Sequence, residues 1–290
     1  MNLRLTCAAF LILMSCSAQA QLRYGFKTGL NFAHIDGPSE TDAAGKSLES
    51  HKNITGFHIG MTFGYKFVDH FGVRGEFLYS KKGSEYTFEG PSFRTFRYTN
   101  GSTFTTGNEK LLLKVNNSYF DVPVMAYGRF GHFEISGGMY AGVLIQTIGE
   151  GSLTYSDGKT ALNNKIDPVQ FNLSYNFRKD DPLGGIGSEV QIVKVDNRNI
   201  EVPKTIGAYY DYPTDKGTLY NAFDYGLVGG LSYYISSSLY IHVRMQYGLG
   251  DVTNNKADAS HSKYEGNGNL VFSQDKDHNF VIQASVGFTF

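Results

Sequence analysis

The stretch that decides the fold is His278-Asn279-Phe280-Val281-Ile282-Gln283-Ala284-Ser285-Val286-Gly287-Phe288-Thr289-Phe290. Apolar side chains occupy every second position from Phe280 to Phe290, and small or polar side chains occupy most positions between them. A period of two indicates a strand with one apolar and one polar face. An amphipathic strand that finishes on an aromatic residue is typical of the closing strand of a transmembrane barrel. We therefore expect Phe288 and Phe290 to lie on the strand through which the barrel-assembly machinery binds the chain.

Residues 1–20 predict a cleaved secretory signal peptide. Arg4 precedes a short apolar run over 8–14, and Ala18-Gln19-Ala20 offers the small residues that a signal peptidase recognises. The expected mature chain begins at Gln21. Residues 13–16 could instead be read as a lipoprotein cleavage box, but Met14 fits that motif poorly.

Composition narrows the class of protein. Both cysteines, Cys7 and Cys16, lie inside the expected signal peptide, so we expect no disulfide and no cysteine nucleophile in the mature chain. The formal net charge of −1 argues against a nucleic-acid partner. No apolar run reaches the length of a membrane helix, so a membrane location requires a β-barrel.

Seven further segments show the same alternation as the last one. The expected strands are 22–32, 57–67, 71–80, 119–130, 132–145, 223–234, 239–249 and 278–290. One face of each carries charged, polar and small side chains, and the other is almost wholly aromatic or aliphatic. A soluble eight-stranded barrel would place its apolar face inside. The polar face here could not form a soluble core, so the pattern predicts an all-β, antiparallel, up-and-down transmembrane barrel, with outer-membrane lipid around it.

The connections alternate between long and short along the chain. Outer-membrane barrels have short periplasmic turns and long external loops, so we expect both termini in the periplasm. The segment 81–117 predicts a long polar loop whose flanks continue the neighbouring strands. Pro123 lacks an N–H group, and we expect a bulge or another irregularity there.

The segment 149–222 leaves the strand number open. Residues 169–177 alternate regularly and 190–195 form a second candidate strand. They form either a hairpin within an external loop of an eight-stranded barrel or two more strands of a ten-stranded one. Eight is the preferred number, with one barrel domain over 21–290 and a long insertion at 149–222.

Five motifs in order resemble those of the PorT-like outer membrane beta-barrel proteins. The first two are Phe71-Gly72-Val73-Arg74-Gly75-Glu76-Phe77-Leu78-Tyr79-Ser80-Lys81-Lys82-Gly83 and Tyr119-Phe120-Asp121-Val122-Pro123-Val124; the others are 26–32, 223–230 and 244–249. Gly75 and Asp121 replace the usual Pro and Glu of that family. The resemblance implies an outer-membrane location in Bacteroidota-type bacteria. The family's namesake is associated with protein secretion.

Charged residues gather on the polar faces of the strands. The expected lumen network comprises Arg23, Lys27, Arg74, Glu76, Asp121, Arg129, Glu134, Asp224 and Arg244, with His58, Lys66 and His242 beside them. An eight-stranded barrel is only wide enough to be filled by side chains, so we interpret these charges as a structural plug. The alternative is a narrow solute or ion pathway, which ten strands would favour.

Catalysis and recognition are the remaining classes of function. His34, His51, His261 and His278 lie near loops beside Asp36, Asp251 and Asp258, but no spacing marks a catalytic site, a cofactor site or a metal site. The loops carry many Tyr and Phe side chains among polar residues, as recognition surfaces do. The sequence therefore predicts a non-enzymatic barrel without a cofactor that serves envelope structure or surface interaction, with its extracellular or envelope protein partner unidentified.

Overall fold

The computed structural model describes residues 22–266 and 268–290; the expected signal peptide lies outside them. The described residues form fifteen strands and no helix. The strands are β1 Leu22–Asp36, β2 Glu49–Lys52, β3 Ile54–Lys66, β4 Phe71–Tyr98, β5 Gly101–Phe130, β6 Phe133–Thr160, β7 Val169–Asn176, β8 Val190–Val195, β9 Arg198–Pro203, β10 Thr205–Ile206, β11 Phe223–Tyr234, β12 Leu239–Gly248, β13 Ala259–Glu265, β14 Asn269–Phe272 and β15 His278–Thr289. None of these residues belongs to a helix that is long and apolar enough to cross a bilayer.

Eight of the strands close into an antiparallel ring. The order around the ring is β1, β3, β4, β5, β6, β11, β12 and β15. β15 returns to β1 with Phe26 opposite Phe288 and Leu30 opposite Ala284. The predicted barrel and its eight strands are confirmed, and the ten-stranded alternative is wrong for this ring.

The outer surface of the ring is apolar and its interior is polar. Phe133 and Leu231 are 67% and 62% exposed on the outside, whereas Lys27 and Asp121 are fully buried inside. Alternate residues of a strand point to opposite faces, so each strand contributes to both surfaces. The predicted inversion of polarity relative to a soluble barrel is confirmed.

The two ends of the barrel differ in their connections. Residues 67–70, 131–132 and 235–238 form tight turns at one end, which we call the short-turn end. Residues 37–53, 161–222 and 249–277 connect strands at the other, the long-loop end. The prediction of a long polar loop over 81–117 is wrong. The strands β4 and β5 continue through this segment and pair with each other as far as Tyr98 and Gly101. Its polar side chains alternate with apolar ones, and this pairing satisfies the backbone groups that a loop would leave to water.

Pro123 interrupts one ladder without shifting it. The pairs that Pro123 and Val122 would make with Glu76 and Phe77 are missing from the β4–β5 ladder, which resumes in the same register. On the other side Pro123 still lies opposite Tyr140. The irregularity is therefore a missing N–H partner, as expected of proline, and not an inserted residue.

A β-bulge in β6 marks the top of the apolar belt. Leu144 lies opposite Tyr119 and Gln146 opposite Ser118, so Ile145 has no partner on β5. One extra residue reverses which side chains point inward. Below the bulge β6 buries Tyr140 and other even-numbered residues, and above it β6 buries odd-numbered ones such as Leu153.

Above this bulge the side chains that point into the barrel change from polar to apolar. In β5, Asp121 points inward within the belt, but Leu111 and Leu113 point inward above it while Lys110 and Lys114 face out. This upper part has a hydrophobic core of its own, which we call the long-loop domain. Its buried members include Phe88, Phe96, Leu111, Leu113, Val115, Leu153, Tyr155, Phe171, Leu173, Val193, Ile200, Val202 and Ile206.

The segment 149–222 builds most of that core. β7 extends the sheet beside the upper half of β6, and β10 pairs with β7 in parallel. β8 and β9 form a separate hairpin whose Val193 and Ile200 join the core. Both stretches that alternate in the sequence are strands, and they lie in the long-loop domain.

Candidate functional site

The lumen is crossed by three buried clusters of charge. The middle cluster centres on Glu76, whose carboxylate lies 3.2 Å from Lys27 Nζ and 2.7 Å from Arg244 Nη1. His242 Nδ1 lies 2.9 Å from the same Lys27 nitrogen. Arg244 Nε also donates a hydrogen bond to Gln283. The side chains of Lys27, Glu76 and Arg244 are fully buried, so water cannot solvate their charges. The ion pairs and hydrogen bonds within the cluster compensate for that lost hydration.

The second cluster lies toward the short-turn end. Arg74 binds Glu134 in a bidentate manner, with Nη1 and Nη2 at 2.8 and 2.9 Å from the two carboxylate oxygens. The Tyr234 hydroxyl accepts from Arg74 at 3.1 Å and donates to Glu134 at 3.1 Å. Parallel N–H donors and a planar carboxylate give this pair a fixed geometry.

The third cluster lies toward the long-loop end and centres on Lys82. Its Nζ is 3.0 Å from the Asp121 carboxylate and 3.4 Å from Asp224 Oδ2. Tyr140 and Asn279 also donate hydrogen bonds to Asp224. Lys82 was not among the expected lumen residues, because it lies in the segment interpreted as a loop. One signal in the sequence could have identified Lys82. The alternation that directs Arg74 and Glu76 into the lumen continues with a period of two to position 82.

The remaining expected lumen residues lie outside the three clusters. His58 binds the uncharged side chains of Asn31 and Ser285 at 2.7 and 2.9 Å. Arg23 and Arg129 line the opening at the short-turn end, and neither forms an ion pair within residues 22–266 and 268–290. The expected network is thus brought together only in part.

The long-loop domain encloses a chamber of about 200 Å³. A chain of ion pairs crosses it, with Arg94 and Glu109 buried at its centre and Asp211 and His261 partly exposed at its ends. Arg94 binds Asp211 at 3.1 Å and Glu109 at 3.3 Å, and Glu109 binds His261 Nδ1 at 2.9 Å. Glu40 accepts a bond of 2.9 Å from the backbone N–H of His261. These contacts join the β13–β14 hairpin to β4 and β5.

Burial and neighbouring charges shift the pKa values of titratable groups around the chamber. Burial alone would lower the pKa of His261, but its hydrogen bond to Glu109 and the charges of Glu109, Glu40 and Glu49 outweigh burial and raise the pKa to about 9. Burial and the neighbouring carboxylates raise the pKa of Asp258 to about 7.

Three carboxylates meet at one wall of the chamber. Ligand oxygens of Asp258, Asp275 and Asp277 lie within 4.8 Å of one another, which is the geometry that three ligands of a divalent cation would need. Burial, with the Asp275 and Asp251 charges, raises the pKa of Asp277 to about 6 even though Thr253 donates to it. No other set of three or more such ligands occurs among the residues that the structure describes.

The histidines and aspartates weighed as catalytic groups do not form one site. His34 binds Asn53 at 2.7 Å, His278 binds the Gly250 carbonyl at 3.1 Å, and His261 binds Glu109. Asp251 accepts from Thr253.

Comparison with known proteins decides the family. Residues 17–254 match the family model of the outer membrane protein beta-barrel domain. The chain belongs to this family. Membership places the protein in the bacterial outer membrane, and the finer resemblance to PorT-like members stays a prediction. No curated protein matches the chain.

Solved barrels resemble the chain only in a general way. Ail, the attachment invasion locus protein of Yersinia pestis, in complex with the heparin analogue sucrose octasulfate, has 11% identity and a TM-score of 0.32, with 93% of this chain and 99% of that chain covered. Neisserial surface protein A has 12% identity and a TM-score of 0.31, covering 93% and 99%. OprG from Pseudomonas aeruginosa has 12% identity and a TM-score of 0.31, covering 92% and 95%. Likeness of this size carries no functional argument.

Replacement of Glu76 by Gln tests the middle cluster of the lumen. The variant leaves Lys27 and Arg244 buried without their carboxylate, which costs about 3–5 kcal/mol of the free energy of unfolding. The measurement is a urea titration of the refolded protein in micelles, followed by gel mobility. The matched control is Glu89→Gln, which removes an exposed pair with Lys110 and costs less than about 1 kcal/mol. Equal losses in the two variants would contradict the plug.

The pH dependence of stability tests the chamber. Folding raises the pKa of His261 from 6.5 to about 9 and that of Asp258 from 3.8 to about 7. The folded state therefore binds more protons, and stability falls as pH rises, first through the Asp258 range and then through that of His261. The thermal midpoint of the long-loop domain should drop between pH 6.5 and 9. His261→Gln should flatten that drop, whereas His34→Gln should leave it; the same slope in both variants would refute the assignment.

Proposed function

We propose that the protein is a closed outer-membrane anchor that displays a folded recognition domain outside the cell. The short-turn end and both termini face the periplasm, and the long-loop domain faces the exterior. Its role is surface interaction or envelope structure, without catalysis and without a cofactor. Outer-membrane lipid surrounds the apolar belt, and the barrel-assembly machinery binds the last strand through its outward aromatic side chains, Phe288 and Phe290.

The closed lumen is the observation that carries this proposal. Lys27, Glu76 and Arg244 meet in the middle of an eight-stranded ring, and all three are buried. Lys82 fills the space above them with Asp121 and Asp224. Side chains fill barrels of this size, and open aqueous channels need many more strands. The narrow-channel alternative is accordingly disfavoured.

The long-loop domain supports recognition as the task of the protein. Its hydrophobic core holds the strands and hairpins above the belt in fixed positions. The chamber within it presents aromatic side chains, among them Tyr86 and Tyr212, next to carboxylates. Binding residues are commonly carried by connecting segments that a rigid scaffold positions.

Single-channel recording tests the proposal. The mature chain, refolded and inserted into planar lipid bilayers, should show heat-dependent mobility on a gel and no stable conductance. The matched channel control is the Glu76→Ala variant, which shortens the central side chain and should add flickering current. Stable open steps from the wild-type protein would contradict the closed lumen and favour a solute pathway.

A further inference from the structure

The short-turn end opens into a cavity of about 320 Å³, which we call the basic vestibule. Arg23, Lys66, Arg74 and Arg129 line it, together with Glu134. The lining includes His70, Gly131 and Ser237 of the tight turns, so the vestibule opens at the short-turn end. On the lumen side lie the Arg74–Glu134 pair and, beyond it, the fully buried middle cluster around Glu76.

The charges of the vestibule do not cancel. Glu134 neutralises Arg74 at 2.8 Å, and Asp69 neutralises Lys66 at 3.3 Å. Arg23 and Arg129 have no carboxylate partner within residues 22–266 and 268–290, the carboxyl terminus included. Two positive charges therefore remain in a half-enclosed space, where they are screened less than on an open surface.

Arg129 is held in place while its terminal nitrogens stay free. It lies opposite Glu134 in the β5–β6 register, but both Glu134 oxygens are already bound by Arg74. The Arg129 guanidinium instead stacks on the Tyr234 ring, 3.5 Å from its centroid. Its one hydrogen bond within the described residues runs from Nε to the Gly131 carbonyl at 3.4 Å. Stacking fixes the plane of the group and leaves its donor edge available.

Arg23 brings a second guanidinium to the same space from β1. Its cross-strand neighbour on β3 is Gly64, which has no side chain with which to pair. Arg23 is half-buried, so its charge has lost part of its hydration. A ligand that supplies negative oxygens would recover that solvation for both arginines.

We propose that the basic vestibule is a binding site for a small anion that carries phosphate or carboxylate oxygens. Guanidinium groups bind such oxyanions through two parallel N–H···O bonds, and Arg129 is already oriented for them. The plug above the vestibule makes it a dead end, so the anion binds and leaves from the short-turn side. Arg129 and Arg23, the two arginines of the vestibule without a carboxylate partner among the described residues, bind the oxyanion.

Calorimetric titration of the mature protein in lipid nanodiscs tests the site, with inorganic pyrophosphate and citrate as separate probes. At low ionic strength we expect saturable binding of at least one probe, with an affinity that falls as salt is added. The probe that binds identifies the oxyanion. Arg129→Gln and Arg23→Gln should each weaken binding about tenfold, the usual size of a lost charge-assisted interaction. Arg129→Lys, which keeps the charge, should weaken it less.

The matched control is Lys110→Gln, which removes an exposed cation from the long-loop domain and should bind as the wild type does. Heat-dependent gel mobility of every variant shows that its barrel is folded. The proposal is overturned if neither probe binds saturably to the wild-type protein, or if Arg129→Gln binds as tightly as Lys110→Gln.

Discussion

Hydrocarbon offers backbone N–H and C=O groups no hydrogen-bond partner, and the rest of this structure depends on that constraint. A sheet in lipid must close on itself, because an open edge would leave a row of such groups without partners. Here the closure is the pairing of β15 with β1, which runs from Gly25 opposite Thr289 to Asp36 opposite His278. Every other feature, from the apolar outer face to the charged interior, follows from having closed a sheet of eight strands.

A barrel of eight strands has a narrow interior, in which each buried charge must be neutralised by a neighbouring side chain. Water cannot solvate Lys27, Glu76 and Arg244 there, so the strands supply the opposite charges at hydrogen-bond distance. The same interior becomes apolar above the Ile145 bulge, where water surrounds the outside of the sheet. Polarity on each face is thus set by the solvent outside: lipid outside favours a polar lumen, and water outside favours a hydrophobic core.

Periodicity predicted most of the fold and little of the site. Alternation is a local signal, and it located all eight barrel strands, including β15. Ion pairing depends on how neighbouring strands are aligned around the ring, and this alignment cannot be read from the sequence of any single strand. Arg129 shows the difference: it faces Glu134 across a tight turn, yet Glu134 binds Arg74 from a strand farther along the barrel. Lys82 was not predicted to lie in the lumen, because the polar residues that follow it indicated a loop. The second core escaped because its apolar residues come from segments that lie far apart in the sequence.

Labelling of single cysteines along β5 in intact cells tests the central claim, that one strand crosses the membrane and continues outside with reversed polarity. Both natural cysteines lie within residues 1–20, so each engineered one would be the sole thiol of the expected mature chain. With a membrane-impermeant maleimide, Lys110→Cys and Lys114→Cys should react on intact cells. Val122→Cys and Val124→Cys should stay unlabelled until the protein is unfolded. Reaction at position 124 in intact cells, or protection at position 110, would contradict the account.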